Sequence, residues 1–289
     1  MDNSMLIERS LRDALVVAGS RNCPSELSRA MEYAVFPGGG RVRPKLCLAV
    51  ASACGASLGR EVQAASASLE FLHCASLVHD DLPCFDGADL RRGKPSVHAA
   101  FGEAMAVLAG DALILLAFDV LVRGASDAPE KLVQLLRVTC DAIGAPNGII
   151  AGQAMEFESN IDIAAYHSSK TASMFVASCA SGAVCAARDP EPWMRLGEKI
   201  GEAYQAIDDV LDVGGSAEMA GKPIGQDVRN AKPSLVGSVG VDAAIASAVG
   251  KLRSARELVP GYADPAVLAP LFRRMEAGID VLTGNMRAA

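Results

Sequence analysis

Apolar residues recur every three to four positions along most of the chain, which is the spacing of amphipathic α-helices. In the first such segment, over 6–18, Ile7, Leu11 and Leu15 define one apolar face. The pattern predicts further helices over 24–35, from 44 onward, and over 61–79, 103–123, 129–143, 147–158, 163–187, 191–213, 241–258 and 265–285. No stretch alternates apolar and polar residues convincingly enough to predict a β-strand. The fold class that follows is all-α.

Two segments interrupt this pattern. The helix over 103–123 is almost continuously apolar but is broken by Gly110 and Asp111. Residues 214–234 are rich in Gly, Pro and Lys without periodicity, and loops of this length often act as functional lids. No Pro- or Ser-rich linker divides the chain. We therefore expect a single domain over 1–289, a bundle of ten or more helices around a central cavity.

Composition narrows the function classes. Hydrophobic residues make up 51% of the chain and charged residues 21%, so a sizeable core can form, and only 4% aromatics favours helices over sheets. The net charge of −7 argues against nucleic acid as a general partner. Eight cysteines without a CxxC pair are typical of a reducing cytoplasm. The longest uncharged run, between Lys170 and Arg188, is shorter than the roughly 20 residues of a membrane span, so no transmembrane segment is predicted.

An acidic cluster follows the predicted helix over 61–79. It reads Asp80-Asp81-Leu82-Pro83-Cys84-Phe85-Asp86, and the basic residues Arg91, Arg92 and Lys94 come soon after it. Pro83 disfavours helical backbone at the residue before it, so the helix is expected to end near Asp81. Unpaired negative charge at a helix C-terminus is unfavourable by a few tenths to about 1 kcal/mol. A bound cation would offset that repulsion.

A second cluster, Asp208-Asp209-Val210-Leu211-Asp212, repeats the arrangement just before Gly214. Asp208 and Asp212 are four residues apart, so they share one helical face and repel each other. A solvated acidic surface is the plainer interpretation of one such cluster, whereas two favour a metal site. Carboxylate ligands without a chelating His or Cys pattern indicate Mg²⁺ or Mn²⁺ rather than zinc.

With these clusters the chain resembles the trans-isoprenyl diphosphate synthase family over residues 36–235. The resemblance rests on the two clusters, the basic run Asp89–Pro95, the Gly-rich loop 36–44, and the pairs Gly110-Asp111, Gly152-Gln153 and Lys170-Thr171, all in the family's order. The family ionises an allylic diphosphate, adds isopentenyl diphosphate to the resulting cation and loses a proton. The resemblance therefore implies a prenyltransferase that binds these diphosphates and forms a homodimer.

The resemblance also implies roles for individual residues. The implied metal ligands hold Mg²⁺, about three ions with Mn²⁺ as an alternative, because metal stabilises the leaving diphosphate; they are Asp80, Asp81, Asp86, Asp208, Asp209 and Asp212. Contacts to the allylic diphosphate are expected from Arg91, Lys170, Lys222 and Lys232, with Thr171 and Gln205 beside them. Isopentenyl diphosphate is expected at Arg43, His73 and Arg92. The expected catalytic set is Asp80, Asp81, Asp86, Arg91, Lys170, Asp208 and Asp209.

Several of these residues have plainer interpretations. A lone histidine such as His73 in an apolar helix is commonly a core residue, and lysines in loops, such as Lys222 and Lys232, are commonly solvated. Two positions also depart from the family pattern, since Gly40 and Gln226 stand where the family usually has Lys. Both changes bear on diphosphate affinity more than on the reaction class, and Arg41 is one candidate to replace the missing charge.

Product length is expected to depend on side chains one helical turn below the first cluster. Ala75 and Ser76, five and four residues before Asp80, lie at that level. A small residue at Ala75 favours a deep pocket and a geranylgeranyl (C20) product over a farnesyl (C15) product, unless another helix supplies a floor near Leu108 or Leu113. There are two alternative classes. A class I terpene cyclase is disfavoured by the repeated DDxxD form of the second cluster and by the basic site for a second diphosphate, whereas Gly40 keeps a non-catalytic subunit of a heteromeric synthase open.

Overall fold

The computed structural model describes residues 3–20, 22–36, 38–214 and 235–288. Its first helices are α1 (Asn3–Ala18), α2 (Ser25–Val35), α3 (Val42–Ala53), α4 (Arg60–Asp80), α5 (Val97–Phe101), α6 (Glu103–Ala125) and α7 (Pro129–Ile143). The remaining helices are α8 (Ile149–Met155), α9 (Ile163–His167), α10 (Ser173–Cys185), α11 (Glu191–Gly214), α12 (Leu235–Val239), α13 (Val241–Glu257) and α14 (Pro265–Ala288). The fold is all-α, as the apolar periodicity predicts.

A small β-hairpin is the one sheet among these residues. Strands β1 (Leu90–Arg91) and β2 (Lys94–Pro95) pair antiparallel, with Leu90 opposite Pro95. Arg92 and Gly93 form its turn with φ of 54° and 75°, as a tight two-residue hairpin requires. Two-residue strands are too short to show an alternation of apolar and polar residues, so no sequence pattern predicts them. The hairpin fixes Arg91 and Arg92 beside the first acidic cluster.

Two large apolar clusters form most of the core, and two helices join them. A third, small cluster lies between α11, α12 and α13. The first gathers α1, α2, α4, α6 and α7, and the second gathers α11, α13 and α14 around the fully buried Trp193. Helix α3 gives Cys47 to the first cluster and Leu46 to the second, and α10 likewise gives Met174 and Phe175. Helices α3 and α10 are therefore covered on all sides, which explains why their apolar positions continue around the helix.

Helix α6 is continuous through the interruption predicted at Gly110 and Asp111. A Cβ at Gly110 would lie 2.1 Å from Nε2 of His79, so glycine lets the imidazole pack against the helix backbone. Among the described residues, α6 is the one helix long and apolar enough to cross a membrane. This is weak support for a span, because core helices pass the same test, and α6 packs along α4.

The helix predicted over 163–187 contains a π-helical turn. Residues Ser168–Ala172 form this turn between α9 and α10. The turn lies against two glycines, since a Cβ at Gly152 would meet the backbone N of Lys170 at 2.5 Å and one at Gly201 would meet Cα of Ala172 at 2.5 Å. Such single-turn insertions recur at functional sites, because the extra residue redirects side chains. Here it redirects Lys170 and Thr171.

The other differences from the predicted helices concern helix ends and two short helices. The helix predicted from Pro44 begins at Val42, and the one predicted over 147–158 covers only Ile149–Met155. The short helices α5 and α12 were not predicted, because one turn and a half is too short to show a period of 3.6 residues.

Candidate active site

The first acidic cluster lies in a compact turn after α4. The helix ends at Asp80, and backbone hydrogen bonds close the turn from Asp86 N to Asp80 O at 2.9 Å and from Ala88 N to Asp81 O at 3.1 Å. Pro83 thus ends the helix close to the expected position. The turn folds back on itself, so Asp86 returns beside the end of the helix.

The adjacent aspartates Asp80 and Asp81 have different environments. Asp81 is 2% exposed and accepts hydrogen bonds from Nε of Arg91, at 3.0 Å, and from Nη2. Burial raises the pKa of Asp81 although the guanidinium of Arg91 opposes the shift. Asp80 is more accessible, with 18% of its side chain exposed, and its Oδ1 lies 3.5 Å from Nζ of Lys170. The structure therefore turns Asp80 toward the site and commits Asp81 to Arg91.

The second cluster shows the same division of roles near the end of α11. Asp209 is 1% exposed and accepts hydrogen bonds from Nε2 of Gln205 at 2.6 Å and from the backbone N of Leu235 at 2.5 Å. Burial raises the pKa of Asp209. Asp208 is only half-buried, whereas Asp212 is buried. One aspartate of each adjacent pair is thus held by the protein, and the other is more accessible.

A chain of polar contacts connects the two clusters. Lys170, on the π-helical turn, lies near Asp80, and its neighbour Thr171 donates a hydrogen bond to Oε1 of Gln205. Gln205 in turn donates to Asp209. The two acidic clusters therefore line one site, with Lys170 and Thr171 between them.

Glu156, which the sequence analysis did not single out, fixes Lys170 in this site. Its side chain is 12% exposed, and its Oε1 accepts hydrogen bonds from Nζ of Lys170 and from the hydroxyl of Tyr166, the latter at 2.6 Å. Gln153 donates to its Oε2 at 3.3 Å. Because Tyr166 and Lys170 come from a later segment of the chain than Glu156, no local sequence pattern indicates this cluster.

Arg43 and His73 form a second polar group. Arg43 is 8% exposed, its Nη1 lies 3.4 Å from Nε2 of His73, and its guanidinium lies 4.9 Å from the Phe175 ring centroid. Its buried Nε has no hydrogen-bond partner among the described residues. Burial, and then the nearby arginines Arg43 and Arg92, lower the pKa of His73 well below its usual range. His73 is therefore neutral, and the Nε–H of Arg43 is an available hydrogen-bond donor.

Arg41 cannot supply the charge that Gly40 lacks. Arg41 is 5% exposed, and its guanidinium donates to Glu8 at 2.8 Å, to Glu70 at 2.6 Å and to the carbonyl of Val35 at 2.7 Å. Burial acts to lower the pKa of Arg41, but these carboxylates raise it overall. Arg41 instead connects the glycine-rich loop to α1 and α4 through these hydrogen bonds.

The glycine-rich loop instead contacts two other cations. Arg92 donates from Nη1 to the carbonyl of Gly38, and a Cβ at Gly39 would lie 2.7 Å from its guanidinium carbon. Lys45, in the first turn of α3, donates to the carbonyl of Gly40 at 2.9 Å. The missing side chain at Gly39 thus leaves room for the guanidinium of Arg92, while Lys45 binds the loop through the carbonyl of Gly40.

An apolar cavity of about 320 Å³ extends below Asp80. Its lining comes mainly from α4, α6, α7 and α8, and comprises Leu72, Ala75, Ser76, His79, Asp80, Phe85, Ile114, Ile143, Ile149, Ile150, Gln153, Ala154 and Phe157. Ala75 and Ser76 lie in its wall. Leu108 is 53% exposed and Leu113 is fully buried, and neither lines it. On α6, Ile114 lines the cavity instead of those leucines. Because α6 is apolar almost all round, its sequence does not show which face lies toward the cavity.

Three positions of interest lie outside the described residues. They are Lys222 and Lys232, with their expected diphosphate contacts, and Gln226, which stands where the family usually has Lys.

The sequence and the fold both match known proteins. A family model described as polyprenyl synthetase matches residues 24–254. The chain is 46% identical to the geranylgeranyl diphosphate synthase of Cereibacter sphaeroides, over 93% of each chain. It is 44% identical to the geranylgeranyl diphosphate synthase of Rhodobacter capsulatus, over 92% of this chain and 94% of the relative.

Two crystal structures show the same fold over nearly the whole chain. A geranyltransferase from Legionella pneumophila superposes with a TM-score of 0.80 at 26% identity, over 96% of this chain and 98% of the other. A geranyltransferase from Helicobacter pylori, solved with magnesium and isoprenyl diphosphate, gives a TM-score of 0.73 at 27% identity, over 100% and 99%. From motif order, fold and these similarities together, the chain belongs to the polyprenyl synthetase family.

Proposed function

We propose that this protein is a metal-dependent prenyltransferase that condenses isopentenyl diphosphate with allylic diphosphates, up to a C20 product. The proposal rests on three features that lie in one site: two acidic clusters, the polar contacts that link them, and an apolar cavity. Two acidic clusters are linked through Lys170, Thr171 and Gln205, and an apolar cavity opens directly below Asp80. A diphosphate bearing an isoprenoid tail matches both halves of that site.

The donor set fits Mg²⁺ held jointly by protein and substrate. Among the described residues, no three Asp, Glu, His or Cys side chains come together as a complete metal site. Mg²⁺ is commonly bound through one or two carboxylates plus substrate phosphates, so a preformed cage is not required. We assign direct ligation to Asp80, Asp86 and Asp208 because their side chains are only partly buried, whereas Asp81, Asp209 and Asp212 are buried. A metal ion bound there would supply positive charge beside the diphosphate, which leaves with the electron pair of the C1–O bond.

The protein's own cations would complete the binding of the two diphosphates. Lys170, held by Glu156, faces Asp80 and can bind the allylic diphosphate there. Arg43 with its unpartnered Nε, together with Arg92 beside the glycine-rich loop, forms a cationic pocket for isopentenyl diphosphate. Arginine suits such a role because its guanidinium binds phosphate oxygens in pairs. Neutral His73 adds a hydrogen bond without adding charge.

The cavity supports the C20 assignment over C15. The small side chain of Ala75 lines the cavity below Asp80, and isoleucines from α6, α7 and α8 contribute to its lining. A volume of about 320 Å³ lies within the range of ligand pockets. Both bacterial relatives described above are named geranylgeranyl diphosphate synthases, which agrees with this length.

The test measures turnover after metal is removed and, separately, after single carboxylates are replaced. Asp80→Asn and Asp208→Asn should each lower kcat by about 10²-fold or more, because a group that stabilises the leaving charge is removed. Asp141→Asn, an exposed aspartate on α7, is the matched control. Wild-type turnover in EDTA, or in both site variants, would contradict the metal assignment. Isopentenyl diphosphate binding by titration calorimetry, together with turnover, separates an elongase from a cyclase or a non-catalytic subunit.

We also propose that two copies of the chain associate through α6. Leu108, Leu115 and Val122 are spaced seven residues apart on one face of α6 and are 53%, 71% and 47% exposed, and Val133 on neighbouring α7 is 59% exposed. A continuous apolar strip of this kind is typical of a protein interface. Light scattering should give twice the chain mass for wild type and a monomer for Leu115→Glu; a monomeric wild type would rule the interface out.

A cytoplasmic location is proposed from the cysteines. All eight lie among the described residues without a disulfide, and five are buried in the core. This usage is typical of reducing compartments. Cell fractionation that found the protein in an oxidising compartment would contradict it.

A further inference from the structure

Two phenylalanines at the rim of the apolar cavity have exposed side chains. Phe157 is 70% exposed and Phe85 is 39% exposed, whereas Phe71 and Phe175 are completely buried. The two exposed rings contact each other edge to face, with centroids 6.1 Å apart and planes at 63°. Both line the cavity. We call Phe85 and Phe157 the aromatic pair.

Both rings stand on ordered backbone. The turn that carries Phe85 is closed by a hydrogen bond from its own N to Leu82 O at 2.9 Å and by another from Gly87 N to Leu82 O at 3.0 Å. Phe157 lies in the turn just after α8, where its N donates to Ala154 O at 3.1 Å. The rings come from separate segments and meet across the rim. Their exposure is therefore a property of the folded site rather than of a frayed end.

Each ring also directly follows or precedes a residue of the polar site. Phe85 precedes Asp86 of the first acidic cluster, and Phe157 follows Glu156, the partner of Lys170. The aromatic pair thus stands at the boundary where the carboxylates end and the apolar lining begins. Both rings line the cavity beside these polar residues, so they are placed to contact a tail that extends from the diphosphate site toward Ala75.

We propose that the aromatic pair clamps the first isoprene unit of the allylic substrate and keeps water away from the reacting carbon. The inference rests on the proposed prenyl transfer and extends it to a specificity role for two residues. Covering two exposed rings with an isoprenoid tail removes apolar surface from water, which favours binding. Aromatic faces also attract positive charge, so they suit the neighbourhood of an allylic cation.

The clamp would decide between two fates of that cation. In elongation, the C1–O bond breaks with its electron pair leaving on diphosphate, and the double bond of isopentenyl diphosphate supplies the pair for the new C–C bond. A proton is then lost to the released diphosphate. If water reaches C1 instead, its oxygen forms the new bond, a proton passes to diphosphate, and a prenyl alcohol results. Loss of the rings should raise the alcohol share.

The experiment uses the full chain with Mg²⁺, geranyl diphosphate and isopentenyl diphosphate, and quantifies prenyl alcohol against elongated product. Phe157→Ala and Phe85→Ala should each raise the alcohol fraction and the KM for geranyl diphosphate by about tenfold, with the KM for isopentenyl diphosphate unchanged. Phe157→Leu keeps apolar bulk and should fall between. Phe101→Leu, at a half-buried ring that does not line the cavity, is the matched control.

A second readout needs neither metal nor turnover. Farnesol carries the tail without the diphosphate, so its affinity reports the apolar contacts alone, and Phe157→Ala should weaken it by about tenfold. If the wild type elongates and both alanine variants match it in alcohol fraction and farnesol affinity, the clamp is wrong and the proposed function stands. If the wild type fails to elongate while farnesol binding still depends on Phe157, the proposed function fails and the tail clamp survives.

Discussion

His73 is an uncharged base among arginines. Burial lowers its pKa well below the usual range, and Arg43 and Arg92 act in the same direction. In the folded protein it therefore stays neutral where an unfolded chain would take up a proton, below about pH 6.5. Stability contributed by neutral His73 is fully present above that pH and is lost as the pH falls.

This gives a prediction for His73→Gln. Glutamine keeps a neutral hydrogen-bonding group but cannot titrate, so the variant should lose less stability than wild type between about pH 7 and about pH 5. The measurement is the free energy of unfolding by urea at several pH values. Parallel pH profiles for the two proteins would show that His73 is not held neutral by the fold.

Residue types and motif order predict a set of site residues, but not how their side chains pair. Asp81 and Arg91 were expected on metal and on diphosphate, respectively, and in the structure they bind each other. Glu156 gave no signal at all, because its role depends on Lys170 and Tyr166 arriving from another segment. Pairing across segments depends on backbone geometry that no local spacing rule encodes.

At the scale of single elements, the π-helical turn Ser168–Ala172 positions two site residues at once. Lys170 faces Glu156 and Asp80, while Thr171 reaches Gln205 on α11. The turn can approach α8 only because Gly152 has no side chain. Apolar periodicity predicted one helix through this segment, since an inserted residue in a single turn scarcely alters the pattern.

Gly152→Ala tests this element. The added Cβ would lie 2.5 Å from the backbone N of Lys170, so the turn must move and the lysine with it. A shift of about 1 Å at a positioning group can cost about 10²-fold in kcat/KM, and we expect a loss of that order with the helix content retained. Gly250→Ala on α13, where a Cβ meets nothing within 4 Å, is the control and should keep full activity. Equal activity in both variants would refute the positioning role.

The cavity is built by four helices, and its length is expected to set the product. Ala75 is 1% exposed and lines the wall one turn below Asp80. Ala75→Tyr would fill that space and should shift the main product from C20 to C15, while Ile114→Ala should not shorten it. Chromatography of the dephosphorylated products measures the shift. An unchanged product profile in Ala75→Tyr would place the length determinant elsewhere.

At the scale of the whole molecule, α3 and α10 join the two apolar clusters. Because each helix contributes to both, separating the clusters would expose apolar surface on α3 and α10. We propose that residues 1–289 therefore fold as one domain. The fold class followed from sequence because most of these helices are long and strongly periodic.

We expect urea to unfold the protein in one cooperative transition. Trp193 is the single tryptophan of the chain and lies in the second cluster, so its fluorescence reports that cluster alone. Circular dichroism reports all helices. The two signals should give the same urea midpoint, and a separate midpoint for Trp193 would divide the chain into two units.

The union of a metal-binding diphosphate site with a deep apolar cavity is the central claim, and product analysis tests it most directly. Purified protein with Mg²⁺ and isopentenyl diphosphate would be given the C5, C10 and C15 allylic diphosphates separately, and the products identified by mass spectrometry. We predict a C20 diphosphate from each primer. Absence of elongation from all three primers would contradict the claim.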